Sequence, residues 1–174
     1  MNDVDRKRKE LLTPLLFEAG AALLDCQGFE YSMGLLLFHF SRLGAKGLDP
    51  KQLFAIMEDR EKRTAGQLLS MIRKHCEPST GIMAALEDGL SARNRLIHRI
   101  LIDNIDRFVD REERRKVVAM IMDLRSKVQK ASKAIDPFVK SLSLTFHSEV
   151  GEQAEAAFSR FLAQHADKQP STAS

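Results

Sequence analysis

The spacing of apolar residues constrains this chain more than any other feature of its sequence. In the run "LLFEAGAALLDCQGFEYSMGLLLFHFSRLG", residues 15–44, apolar side chains recur every three or four positions. This interval places them on one face of an α-helix, which has about 3.6 residues per turn. No stretch of the sequence alternates apolar with polar β-branched residues as a half-buried strand does. We therefore expect an all-α protein, an antiparallel bundle of four to five principal helices.

Prolines and glycines mark where the first helices begin and end. Thr13 followed by Pro14 predicts a helix start, with the threonine as cap and the proline in the first turn. Gly28 lies within the apolar pattern and leaves open whether this segment is one long helix or two helices in line. Pro50 predicts the start of a short helix that extends to about Glu61.

Two capping boxes predict the starts of later helices. They are Thr64 with Gln67 and Asp110 with Glu113. The helix that follows Thr64 ends before Pro78, and the next helix is expected over residues 81–104. The helix after Asp110 is expected to extend through Ile135. Pro137 then either kinks this helix or starts a new one.

The length of 174 residues fits one domain with a continuous core. Hydrophobic residues make up 44% and charged residues 29%, which is typical of a folded soluble protein rather than a disordered one. We assign residues 1–9 to a charged lead and residues 10–148 to the helical bundle. Residues 149–174 are assigned to a short helix and a disordered tail.

Composition also narrows the class of partner and the compartment. A net charge of +3 is compatible with a polyanion but does not require one, and the lack of tryptophan disfavours a base-stacking surface. Cys26 and Cys76 have no Cys/His spacing typical of zinc, so we expect no metal and no cofactor. His39, within "LLLFHF", is expected to be a packed core histidine. The first residues do not resemble a signal peptide and no apolar run is long enough for a bilayer, which predicts a cytoplasmic protein without membrane contact.

The helix predicted over residues 81–104 carries an arginine at an inward position. Its apolar side consists of Leu86, Leu90, Ile97 and Leu101. A polar strip beside that side consists of Glu87, Ser91, Asn94 and His98, and Arg95 and Arg99 lie on the far side. Arg93 falls near the middle of the apolar sector at about 100° per residue. Because burying an unpaired guanidinium costs several kcal/mol, Arg93 needs either a carboxylate or an incoming anion.

Both interpretations have residues to support them. Glu30 lies inside the apolar stripe of the first helix and is a candidate ion-pair partner for Arg93. Alternatively, Arg93 binds a phosphate, His98 transfers a proton, and Asn94 orients a hydroxyl or the imidazole. Together they suffice for metal-free cleavage of a phosphodiester by its own 2′-hydroxyl. Residues five apart lie about 140° around a helix. A long arginine, a helix distortion or a second copy across a two-fold axis is therefore needed to bring Arg93 and His98 to one phosphate.

The segment "ARNRLIH" resembles the R-x4–6-H motif of HEPN-domain proteins, in which a polar residue directly follows the arginine. Arg93, Asn94 and His98 occupy the motif positions. A long first helix, the motif on a late helix and another long helix after it are also similar, over about residues 10 to 148. The resemblance implies a HEPN-like helical bundle.

In function, the resemblance implies a metal-independent endoribonuclease of a toxin, defence or RNA-processing system. His98 would be the general base or acid, Arg93 would stabilise the pentacovalent phosphorus, and Asn94 would position the reacting groups. Products would carry a 2′,3′-cyclic phosphate and a 5′-hydroxyl. Expected partners are RNA, a second copy that brings two motifs into one cleft, and an antitoxin or other protein.

Two features limit this interpretation. Some such toxins have a tyrosine two residues past the histidine, which a nucleotidyltransferase antitoxin modifies, but this chain has Ile100 there. Other HEPN domains lack activity, so the alternative is a catalytically silent helical module that binds a protein or an anionic ligand. Glu30, Glu87, Ser91, Arg95 and Arg99 are the candidate supporting residues. The basic residues from Arg95 to Lys116 would track an RNA backbone, but interleaved acidic residues favour a solvated face with local ion pairs.

Overall fold

A computed structural model describes residues 3–49, 51, 53 and 65–146. The elements in these ranges are α1 (Asp3–Arg42), α2 (Ala65–Cys76), α3 (Thr80–His98), the 3-10 helix η1 (Ile102–Phe108) and α4 (Arg111–Thr145). The described residues therefore form an all-α helical bundle without strands, as predicted. The helix predicted from Pro50 to Glu61 and the segment 149–174 lie outside the described residues. The chain divides into two units, residues 1–139 and 140–174, and the first contains everything discussed below.

The first helix is continuous across Gly28 and starts earlier than predicted. α1 begins at Asp3, so Pro14 lies in its interior and a helix start at Thr13 was wrong. The Thr13 hydroxyl donates to the Lys9 carbonyl at 2.8 Å instead of capping. An interior proline loses one backbone donor and its ring crowds the carbonyl four residues earlier, but its φ is already helical and the residues around it are mostly good helix formers. The helix therefore continues through the proline.

A three-residue link joins α2 to α3 and makes them a helical hairpin. In this link, residues 77–79, Glu77 adopts φ +42°, a left-handed conformation that reverses the chain direction. The Ser79 hydroxyl then accepts from the Ile82 backbone N–H at 3.5 Å and caps α3. Because the link is so short, the two helices lie antiparallel and side by side.

The helix α3 ends at His98, earlier than the predicted end at Asn104. The Ile100 backbone N–H donates to the Arg95 carbonyl at 2.8 Å, which closes a wider turn than an α-helical one. The Asn104 side-chain amide then donates to the Ile100 carbonyl at 2.8 Å, from a position that is 6% exposed. This bond satisfies a carbonyl that continued helix would have used. His98 therefore lies at a helix terminus rather than in a helix interior.

α3 runs antiparallel to α1 and α4. Near its start, Leu86 lines a common cavity with Leu36 of α1 and Ile135 of α4. Further along α3, Arg93 meets Glu30, which is earlier in α1. The largest fully buried side chains include Phe29, Met33, Leu37, Ile72, Leu86, Ile121 and Val128. All four α-helices therefore contribute side chains to the core. This packing determines which face of each helix is left exposed to solvent.

The last helix begins as predicted and continues further. The Asp110 carboxylate accepts from the Glu113 backbone N–H at 2.8 Å, which confirms the cap at this position. α4 then passes through Pro137 without a restart. Within the described ranges, no helix has both the length and the apolar content needed to cross a bilayer.

Candidate functional site

The inward arginine of α3 has a carboxylate partner on α1. The Arg93 Nε donates to Glu30 Oε1 at 2.5 Å. The side chains are 16% and 29% exposed, so the pair is only partly shielded from solvent. The ion pair expected under one of the two interpretations is therefore present. It compensates the charge that Arg93 brings towards the core.

The other edge of the same guanidinium meets the two remaining motif residues. Arg93 Nη1 donates to Asn94 Oδ1 at 3.1 Å and lies 3.3 Å from His98 Nε2. Because a guanidinium can only donate, His98 Nε2 is the acceptor in this arrangement and its lone pair is available there. Both Asn94 and His98 are exposed.

The angular gap between Arg93 and His98 is closed within one protomer. The long arginine side chain reaches across, and His98 lies at the helix end. A second copy is not needed to bring these two groups together. The two interpretations made from sequence are therefore compatible, because the Nε edge of Arg93 binds Glu30 while Nη1 lies beside His98.

The motif residues line an open depression of about 530 Å³. Its walls are Gly66 of α2 and Arg93, Asn94, Arg95, His98 and Arg99. Three guanidinium groups line this depression, and the Glu30 carboxylate binds one of them, Arg93. Arg95 and Arg99 are exposed and make no ion pair in the part of the chain that the structure describes. The excess positive charge makes this depression attractive to an anion.

The supporting residues Glu87 and Ser91 lie further back along α3. Glu87 forms an ion pair with Arg73 of α2, and both side chains are more than half exposed. Ser91 lines a neighbouring depression between α2 and α3. Within the described ranges neither residue bonds to the motif residues. They belong to the surroundings of the site rather than to its centre.

A buried thiol lies close enough to Arg93 to feel its charge, a proximity that the sequence did not predict. Cys26 is 1% exposed, and its burial raises its pKa to about 11, while the nearby charge of Arg93 acts in the opposite direction. Burial likewise raises the pKa of Cys76 to about 11. Thiols with such pKa values are almost fully protonated near neutrality and are poor nucleophiles. Within the described ranges, no three side chains of the metal-binding types come together.

The basic residues that follow α3 are taken up largely by local ion pairs. Arg107 binds Glu113 at 2.6 Å and also donates to Asn104. Hydrogen bonds from Lys116 and Arg107 hold the pKa of Glu113 below its ordinary value. Arg115 lies 3.7 Å from Glu112. Local ion pairs, favoured from sequence, are thus present at Arg107, Arg115 and Lys116. Arg114 differs from the predicted solvated face, because it is 7% exposed and donates to the Phe108 carbonyl at 2.5 Å.

The sequence also did not predict that α2 lines the candidate site. Sequence analysis predicted this helix, but its capping pattern carries no information about which helix it covers. Gly66 lines the depression at the motif, and its neighbour along the same helix, Ser70, lines the next one. The position of Gly66 in the first turn after the predicted cap at Thr64 was the only available signal.

Comparison with known proteins adds no relative: no protein-family model, curated protein or solved structure matches this chain.

Proposed function

We propose that this chain is a homodimeric, metal-independent endoribonuclease of the HEPN type that cleaves RNA by attack of a ribose 2′-hydroxyl. The observation that carries the proposal is the contact of Arg93 Nη1 with both Asn94 Oδ1 and His98 Nε2 at an open, positively charged depression. An arginine beside a proton acceptor is the minimum that such a reaction requires. A role as a toxin or defence factor, an antitoxin or other protein partner and a cytoplasmic location belong to the same proposal.

Arg93 is oriented so that it can receive a phosphodiester. Glu30 accepts from Nε, and the guanidinium has a second edge for an oxyanion, the outer edge formed by Nη1 and Nη2. Two phosphate oxygens accept from this edge in bidentate fashion. Arg95 and Arg99 add long-range attraction and contacts to neighbouring phosphates. Negative charge that develops on the phosphoryl oxygens is then stabilised by a guanidinium already in position.

Phosphate binding also prepares His98 for its role. In the free protein His98 Nε2 is an acceptor beside Arg93 Nη1. When the phosphate becomes the acceptor for Arg93, the Nε2 lone pair is released to take the proton of the ribose 2′-hydroxyl. Asn94 Oδ1 keeps the guanidinium in place during this exchange.

The reaction then proceeds by exchange of one ester bond for another. The 2′-oxygen forms a bond to phosphorus, and the bond from phosphorus to the 5′-oxygen breaks. The leaving 5′-oxygen takes a proton from solvent, and His98 returns its proton to solvent. The products are a 2′,3′-cyclic phosphate and a 5′-hydroxyl.

An exposed apolar face of α1 supports the homodimer. It consists of Leu16, Phe17, Leu23, Leu24 and Tyr31, which are 46–69% exposed. The acidic residues of this part of α1 all bind arginines of other helices: Glu18 and Asp25 bind Arg125, and Glu30 binds Arg93. The exposed face itself therefore carries no charge. A two-fold interface places a patch against its own copy, which an uncharged face tolerates without like-charge repulsion.

The central experiment is RNA cleavage by the purified protein and its His98→Ala variant. We expect the wild type to cleave in EDTA and to leave cyclic phosphate ends, and we expect His98→Ala to lose at least about a hundredfold in rate. His75→Ala, at the half-buried end of α2, is the matched control and should remain active. Cleavage that requires magnesium, or that survives in His98→Ala, contradicts the proposal.

One observation favours a second function, a silent module that binds an anion or a protein. The bond between Arg93 and Glu30 already neutralises the arginine without substrate. Under this function, purified protein in excess leaves total RNA intact, while inorganic phosphate still binds at the depression.

A further inference from the structure

A second depression of about 430 Å³ lies next to the one at the motif, between α2 and α3. Its lining comprises Gly66, Leu69, Ser70, Arg73, Glu87, Leu90, Ser91 and Asn94. Gly66 and Asn94 line both depressions. Because α2 and α3 are antiparallel, the second depression extends along both helices, away from His98. The two spaces therefore adjoin at Gly66 and Asn94.

The second depression differs from the first in its chemistry. Leu69, which is 4% exposed, and the half-buried Leu90 form an apolar floor. The hydroxyls of Ser70 and Ser91 are exposed, and neither has a hydrogen-bond partner in the ranges that the structure describes. Each hydroxyl can donate and accept. This depression is suited to a flat, uncharged group with polar edges.

An ion pair marks the far end of this space. Arg73 of α2 binds Glu87 of α3, so the two charges at that end cancel. The positive charge available to a ligand is thus concentrated at Arg93, Arg95 and Arg99, at the opposite end. An elongated ligand with an anionic end and an uncharged end has only one favourable orientation across the two depressions.

We propose that the second depression binds the base of the nucleoside on the 5′ side of the scissile phosphate, an inference that rests on the proposed ribonuclease function. The phosphate and the ribose 2′-hydroxyl lie at Arg93 and His98, and the base packs on Leu69 and Leu90 with its edges bonded to Ser70 and Ser91. Both volumes fall in the range of small-ligand pockets, about 300–1,000 Å³. No aromatic side chain lines the second depression, so the base is held by apolar packing rather than stacking. Since serine hydroxyls suit any base edge, base preference is weak.

Calorimetric titration with inorganic phosphate and with adenosine 3′-monophosphate tests this inference. We expect the nucleotide to bind the wild type about tenfold more tightly than phosphate, a difference of about 1.4 kcal/mol. The variant Ser70→Leu/Ser91→Leu fills the depression and should bind both ligands equally. Ser126→Leu, at an exposed serine of α4, is the matched control and should keep the wild-type preference. A nucleotide that binds the wild type no better than phosphate overturns the inference, as does a preference that persists in the double variant.

A second measurement requires no substitution. In nuclear magnetic resonance titrations of the wild type, the nucleotide should shift the amide signals of Ser70 and Ser91, and phosphate should shift those near Arg93 alone. Identical shifts with both ligands overturn the inference.

The two proposals fail in distinguishable ways. If the wild type shows no preference for the nucleotide but cleaves RNA in a His98-dependent way, the nucleoside site is rejected and the nuclease proposal stands. If the wild type binds the nucleotide tightly but cleaves no RNA, the nuclease proposal is rejected and the protein has a nucleotide-binding site.

Discussion

At the scale of single residues, the site depends on one guanidinium that serves two helices. Arg93 joins Glu30 of α1 to His98 at the end of its own helix. A carboxylate held inside a bundle without its cation leaves an uncompensated charge, and the same holds for the cation. The Glu30–Arg93 bond is therefore expected to be both a structural contact and the support that orients the arginine.

Glu30→Ala tests this dual role. We expect a loss of about 3 kcal/mol in the free energy of unfolding, since a partly buried guanidinium loses its partner. The measurement is urea denaturation followed by circular dichroism. Glu87→Ala breaks an exposed ion pair of the same type and should cost less than about 1 kcal/mol. Equal losses in the two variants contradict the assignment of a structural role to Glu30.

His39 is a second residue whose environment has a measurable consequence. It is 1% exposed, as expected of a core histidine, and its pKa is lowered from 6.5, first by burial and then by the charge of Arg42. The unfolded chain therefore binds a proton below pH 6.5 that the folded chain does not, so stability falls as pH drops below this value. Above pH 6.5 both states are neutral at this residue and its contribution is complete.

The pH dependence can be isolated with His39→Gln. Unfolding free energies measured between pH 7.5 and 5.5 should decline less steeply in the variant than in the wild type, whatever the cost of the substitution itself. Identical slopes for the two proteins would mean that His39 does not contribute to the acid sensitivity.

At the scale of helices, the site depends on how closely α3 approaches its neighbours. A side chain on Gly89 would place its Cβ too close to the Cβ of Ala131 in α4 for both to fit, so the two helices are in contact there through a glycine. Gly89 is also close to Phe29 of α1. This contact therefore sets the distance between α3 and its neighbouring helices at a point four residues before Arg93.

We expect the substitution Gly89→Ala to push α3 and α4 apart where they cross. Alanine favours a helix by about 1 kcal/mol over glycine, but overpacking costs about 1–3 kcal/mol, so we expect net destabilisation. Gly28→Ala in α1 is the matched control, because its Cβ would meet nothing within 4 Å and the helix gain should appear alone. Thermal unfolding of both variants provides the comparison. Stabilisation by Gly89→Ala would show that α3 and α4 are not packed as described.

The helix scale also shows what the sequence could and could not predict. Apolar spacing predicts which face of a helix is buried. It correctly predicted the all-α class. It also placed Arg93 on an inward face, with Glu30 as its candidate partner. Helix ends were less predictable, because the early end of α3 depends on the bond from Asn104 to the Ile100 carbonyl. The contribution of Gly66 could not be predicted, since periodicity does not tell which helix covers which.

At the scale of the whole molecule, the uncharged face of α1 is an apolar surface that the described residues leave exposed. From Leu16 to Tyr31 the helix rises about 22 Å at 1.5 Å per residue. The proposed dimer buries this face against a second copy, because exposed apolar surface of this extent favours association. The sites would then be arranged around one two-fold axis, and their separation would set the length of RNA that contacts both.

Phe17→Asp/Leu24→Asp places two charges on this face. We expect the wild type to elute as a dimer in size-exclusion chromatography with light scattering and the variant to be a monomer, since burying two aspartates against an apolar face is unfavourable and apolar contact would be lost. Met122→Asp changes an exposed apolar residue of α4, 53% exposed, and should leave the dimer intact. Because Arg93 and His98 meet within one protomer, the monomeric variant should still bind phosphate while losing contacts with longer RNA. A wild type that is monomeric at concentrations where it cleaves RNA would remove the dimer and leave the single-protomer site as the complete catalytic unit.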